Sequence, residues 1–188
     1  MRAQVLRRHG GPEVLEAVRR RDGMVRKVVV TSSVAAIGAV RRKPGLPEPL
    51  DESATWDLDD SETYIVAKRR AEELALTRAN QLPIVVVNPT AVFGPGDHRP
   101  TPTGGALLQY LNWRGPLSFP GGPGGLSVVD VDDVARGHLL AMDKGRVGER
   151  YILGGDNLTV SGIFELASSI TGLPQPGRAP GRAPARLL

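Results

Sequence analysis

Apolar residues follow two rhythms along this chain. Short unbroken runs rich in Val and Ile alternate with longer stretches in which apolar residues recur every three or four positions. The runs at 27–31 and 83–87 each hold three consecutive valines, which predicts strands buried on both faces. Residues 12–21 open with Pro in the first turn and place Val14, Leu15 and Val18 on one side, which predicts a helix. A longer helix is predicted over 61–79, capped by Ser61, with Val66, Ala67, Ala71, Leu74 and Ala75 as its apolar and small positions. Further helices are predicted at 105–113, grouping Leu107, Leu108 and Leu111, at 131–143 behind an Asp130 cap, and at 163–170 after Ser161. Short strands are predicted at 126–129 and 150–153. The connection 41–60 is long for a compact domain, and such loops often carry function, while 94–104 is a second loop punctuated by Gly and Pro. This alternation predicts an α/β fold with a parallel, doubly wound sheet, whose ligands bind at the carboxyl ends of the strands. Thr31–Ser33 and Asn88–Val92 follow two such ends.

With 188 residues the chain is long enough for one domain with a real core. It has no cysteine, which excludes disulfides, thiolate metal sites and cysteine nucleophiles. Its three histidines are scattered without ligand spacing, so no metal is expected. The first eight residues lack the apolar stretch of a signal peptide, and no apolar run is long enough to span a bilayer. A soluble, cytoplasmic protein without membrane partners is expected. The net charge of +4 is unevenly spread. Residues 1–43 carry eleven Lys/Arg against three Asp/Glu, and residues 44–80 carry four against nine. No aromatics interleave with the basic front, so nucleic acid is not an expected partner and a solvated Arg-rich face accounts for it.

The chemistry concentrates at Tyr64 and Lys68. Four residues apart on a helix, a phenol and an ammonium share one face, and a cation beside a phenol favours the phenolate. A hydroxyl from the Thr31-Ser32-Ser33 run is available to hold a substrate oxygen against that phenol. Together these groups form a proton-transfer centre suited to a carbon bearing oxygen.

In this order of motifs the chain resembles the extended short-chain dehydrogenase/reductase family, the NAD-dependent epimerase/dehydratases. The residues that carry the resemblance are the run from Val28 through Ser33 to Gly38, the Tyr64/Lys68 pair, and Val87-Asn88-Pro89-Thr90-Ala91-Val92-Phe93-Gly94-Pro95-Gly96. Val129 to Ala135 and Arg150 to Gly155 add to it. Asp97 to Gly104 is similar to the dihydroflavonol-reductase-like and hopanoid-associated sugar epimerase group. The resemblance covers roughly residues 14–173. It implies the C-terminal part of a Rossmann-like sheet with a small C-terminal substrate-binding region. Residues 1–100 would form a partial core with the Ser, Tyr and Lys. Residues 101–173 would bind substrate and return elements to that core, and 174–188 would be a disordered Pro/Gly/Arg tail.

By the same resemblance Ser33 hydrogen-bonds the substrate oxygen, with Thr31 or Ser32 as the next choice. Tyr64 is the general acid/base, and Lys68 binds the nicotinamide ribose and eases ionisation of Tyr64. Pro89, Thr90, Ala91 and Val92 cradle the nicotinamide end. The implied cofactor is NAD or NADP, and the implied substrate a sugar nucleotide or a hydroxy or keto compound, used by an epimerase, dehydratase or reductase. One motif is absent. The Gly-rich turn that holds the pyrophosphate has no counterpart, since Gly94-Pro95-Gly96-Asp97-His98-Arg99 lacks the third glycine. The N-terminal dinucleotide-binding half is therefore expected to be missing, and a non-catalytic remnant or interaction module stays open beside the enzyme. Missing strands beside Val28–Val30 would leave an open edge, which predicts marginal stability or a homo-oligomer.

Overall fold

The computed structural model describes residues 11–21, 24–38, 49–54, 63–99, 101–112, 118–119 and 124–178. Helix α1 (Gly11–Arg19) leads to strand β1 (Val28–Thr31), a single 3-10 turn (Val34–Ala36), helix α2 (Thr63–Thr77) and strand β2 (Ile84–Pro89). Strand β3 (Ala91–Phe93) follows at once, then helix α3 (Pro102–Asn112) and strand β4 (Ser118–Phe119). The chain continues through β5 (Gly125–Asp130), α4 (Val131–Lys144), β6 (Arg150–Leu153), β7 (Asp156–Thr159), α5 (Val160–Thr171) and β8 (Gly177–Arg178).

β2 is the centre of the main sheet, whose order is β1-β2-β6 with both pairings parallel. Ile84 to Val87 are fully buried because both faces of the strand are covered. On one face Leu15 of α1 and Ala75 of α2 pack with Val28, Val30, Ile84 and Val86. On the other, Ala141 of α4 packs with Val29, Val85 and Val87. The unbroken valine runs are thus the signature of a strand covered on two sides. The mixed α/β architecture with a parallel, Rossmann-like sheet is the one the sequence predicts.

A second sheet, β3-β5-β7, takes over where the first ends. β3 runs parallel to β5 and β7 antiparallel to it. The chain changes sheets twice. It passes from β2 to β3 at Thr90, and from β6 to β7 at Gly154–Gly155. Gly155 lies so close to the Val128 carbonyl that any Cβ would collide with it, so a glycine is required at that crossing.

Several sequence expectations need correction. The buried face of α2 is Ile65, Glu72 and Ala75, while Ala67 and Ala71 face solvent. The polar contacts of Glu72 outweigh the small apolar residues in setting that face. In α3 the buried residue is Tyr110, packed edge-on against Phe164 of α5 with ring centroids 5.4 Å apart. Leu108 and Leu111 are exposed. α5 begins at Val160 on a Thr159 cap, whose hydroxyl accepts from the Gly162 amide at 3.0 Å, rather than after Ser161. The Asp130 cap of α4 holds, with its carboxylate accepting from the Asp132 amide at 2.7 Å. The Pro/Gly/Arg tail joins the fold at its start, since Gly177–Arg178 pair in parallel with Ser118–Phe119. Ser61 and residues 179–188 lie outside the described residues. Among the described residues no helix is long and apolar enough to cross a membrane.

Candidate active site

β1 ends at Thr31, and the three hydroxyls that follow one another there diverge. The Thr31 hydroxyl lies 2.8 Å from Nε2 of His138 on α4. Nδ1 of that ring sits 2.8 Å from the Val134 carbonyl, which can only accept. Nδ1 therefore carries the proton, and in the neutral ring Nε2 accepts from Thr31. Ser32 points into the protein, is 7% exposed, and its Oγ has no partner among the described residues. Ser33 is half-buried and extended, and it caps the 3-10 turn by accepting from the Ala35 amide at 3.3 Å. That bond uses a lone pair and leaves the single O–H of Ser33 free to donate.

α2 presents its Lys68 to the same strand end. The ammonium donates to the carbonyls of Ser32 at 3.2 Å and Thr31 at 3.4 Å. Tyr64 stands one turn earlier on the same line of the helix and is 41% exposed. The structure thus brings the Lys68 end of the pair and the serine turn together at the carboxyl edge of β1.

Pro89 to Val92 adjoin this edge from β2. Pro89 is the last residue of that strand and pairs with Leu153. The amide and hydroxyl of Thr90 both donate to the Leu153 carbonyl, at 3.1 and 3.3 Å, which fixes the crossing between the sheets. Ala91 and Val92 pair with Val128 and Val129 of β5. The segment is therefore paired backbone at a strand end, where ligands of open α/β sheets bind.

A buried carboxylate stands behind these residues, and sequence reasoning missed it. Glu72, one turn beyond Lys68, is 3% exposed. It accepts from the Asn88 side-chain amide at 2.6 Å and pairs with Arg150 at 3.3 Å. The same Asn88 nitrogen donates to the Ser33 carbonyl at 3.0 Å. The available signal was a glutamate at i+4 from Lys68, on the line that already holds Tyr64. A cavity of about 240 Å³ opens beside Glu72 and Arg150, lined also by Ala36, Ala54 and Leu76. Ser33, Tyr64 and Lys68 do not line it.

The nicotinamide end of a dinucleotide fits the residues present. Lys68 and the Ser33 turn meet at that strand end, and Tyr64 stands one turn from Lys68 on the same helix. The pyrophosphate end finds no matching turn, because no G-x-G-x-x-G occurs in the sequence.

The model of the NAD dependent epimerase/dehydratase family matches residues 7–154. The chain belongs to this family. Among relatives of the epimerase/dehydratase chain is a Synechocystis sp. protein named "Putative dihydroflavonol 4-reductase", 42% identical over 158 residues, covering 81% of this chain and 44% of that protein. The crystal structure of gox2253 matches with a TM-score of 0.76 at 34% identity, over 95% of this chain and 55% of that one. A dTDP-glucose 4,6-dehydratase from Bacillus anthracis in complex with NAD shares the fold, with a TM-score of 0.74 at 22% identity over 92% of this chain and 55% of that one. The chain spans about half the length of the relatives it matches.

Proposed function

We propose that this chain carries the nicotinamide- and substrate-facing half of an NAD(P)-dependent oxidoreductase site that acts at a hydroxyl or carbonyl carbon. The observation that carries the reading is Lys68 seated on the Thr31 and Ser32 carbonyls, which brings the Tyr64 helix against the serine turn. Ser33 is the substrate-facing hydroxyl, because Thr31 is engaged by His138 and Ser32 is buried. Its free proton donates to the substrate oxygen. Tyr64, exposed one turn from Lys68, gives a proton to that oxygen during reduction or takes it during oxidation. Lys68 holds the ribose of the nicotinamide, and Pro89, Thr90, Ala91 and Val92 form the wall for its ring. The nicotinamide, when bound, supplies or accepts the hydride.

The named reductases among relatives at least 30% identical favour a reductase acting on a keto or acyl compound over a sugar-nucleotide epimerase. Residues 101–173 line the substrate side. A non-catalytic member of the same fold is the second reading, favoured by the lack of a pyrophosphate-binding turn in the sequence.

Oxidation of NADPH and NADH by aryl aldehydes and dicarbonyls, followed at 340 nm with the wild type and Tyr64→Phe, separates the two. Loss of the phenol is expected to lower kcat at least about 100-fold. Turnover indifferent to Tyr64→Phe contradicts the acid/base role, and a wild type without turnover or cofactor binding supports the non-catalytic reading.

A further inference from the structure

Glu72 is a buried carboxylate to which the chemistry above gives no task, and its contacts lead directly to the residues that have one. Arg150, at the start of β6, donates from Nη1 to Glu72 at 3.3 Å. The same guanidinium reaches forward to the loop that runs toward α2. Nε and Nη2 donate to the Glu52 carbonyl at 3.0 and 2.7 Å, and Nη2 donates to the Ala54 carbonyl at 2.9 Å. The Glu52 side chain closes the grip by accepting from the Ile152 amide at 2.8 Å. On its other oxygen Glu72 accepts from Asn88 Nδ2, whose second proton goes to the Ser33 carbonyl. The Ser33 carbonyl also accepts from the Ala36 amide at 2.9 Å, so it anchors the 3-10 turn.

We infer that Arg150, Glu72 and Asn88 are positioning residues. They tie the loop ahead of the Tyr64 helix and the Ser33 turn to one buried carboxylate on that helix. The inference rests on the oxidoreductase reading for what is positioned, but the relay itself rests on distances and burial alone. α2 then holds the serine turn at two points. Lys68 grips the carbonyls of Thr31 and Ser32, and Glu72 grips that of Ser33 through Asn88. A carboxylate suits the task because it accepts from an amide and a guanidinium at once, and a planar guanidinium reaches several acceptors from one fork. Asn88 is fully buried, and its amide supplies the two donors that a carboxylate and a carbonyl require.

The test is hydrogen–deuterium exchange on the whole chain, comparing the wild type with Glu72→Gln and Asn88→Ala. Amides of residues 33–37 are expected to exchange about tenfold faster in both variants, while those of 125–144 keep their wild-type rates. Arg150→Lys keeps the charge beside Glu72 but loses the fork. It is expected to free the amides of 51–54 and covers the case in which the buried variants fail to fold. Unchanged exchange at 33–37, or a uniform rise across the fold, would overturn the inference. In carbonyl reduction, Glu72→Gln is expected to lower kcat about tenfold with KM within about twofold. An equal loss in both variants that follows only the amount of folded protein would reduce the relay to a stability element. The exchange readout needs no cofactor, so it separates failure of the relay from failure of the oxidoreductase reading.

Discussion

Gly94 shows how single positions constrain the site. It follows β3 with φ +152°, and a Cβ there would lie inside the Val131 side chain at the start of α4. Gly94→Ala combines backbone strain with a collision against a helix end, so urea titration is expected to show a loss of about 1–3 kcal/mol. The positions proposed for Ser33 and Tyr64 come from residue type and order. Tyr64 and Lys68 lie four apart on a helix, and Ser33 caps the turn that follows β1. Glu72 was not legible, because its role depends on Asn88 and Arg150, which reach it only through the fold. An Asn-Pro pair after a valine run marks a strand end, but it does not say which carbonyl the asparagine will hold.

Helices and buried strands followed from their periodicity, as did β5 of the second sheet, whereas β3 and β7 did not. β3 has three half-buried residues, and β7 is Asp-Asn-Leu-Thr with its first two residues exposed. β3 is an apolar run too short to mark a strand and β7 has no apolar run, and both pair with β5. Capping was better marked. Asp130→Ala removes the bond to the Asp132 amide and is expected to cost about 1 kcal/mol in the same titration. On α1, hydrogen bonds from Arg19 and then Arg20 hold the Glu16 carboxyl down, from 4.5 to about 2. A lowered carboxyl pKa gives stability that is complete above 4.5 and fades as pH falls toward 2. Because this cluster is solvent-exposed, Glu16→Gln is expected to leave the melting temperature at pH 7 almost unchanged. A carboxyl titration followed by NMR is expected to place Glu16 below the ordinary glutamate range by only the small margin that so exposed a cluster sustains.

In the molecule as a whole, the two sheets meet where the candidate site lies, because β2 and β6 each cross from one sheet to the other beside Thr90. The α/β class and the family were both readable from motif order. β1 pairs with β2 alone among the described residues, which leaves its other edge open. An open edge of three valines favours association, so sedimentation velocity is expected to show the chain self-associating as its concentration rises. A sharp monomer boundary at every concentration, with cooperative melting, would count against this.

We propose that Lys68 and its neighbours form a nicotinamide half-site in this chain. Titration with NADH and with reduced nicotinamide mononucleotide, followed by nicotinamide fluorescence, addresses it directly. Saturable binding of both at similar affinity is expected, because the sequence offers the adenosine pyrophosphate no glycine turn, with clear weakening of both by Lys68→Ala. Absence of binding, or binding that Lys68→Ala leaves untouched, would contradict it.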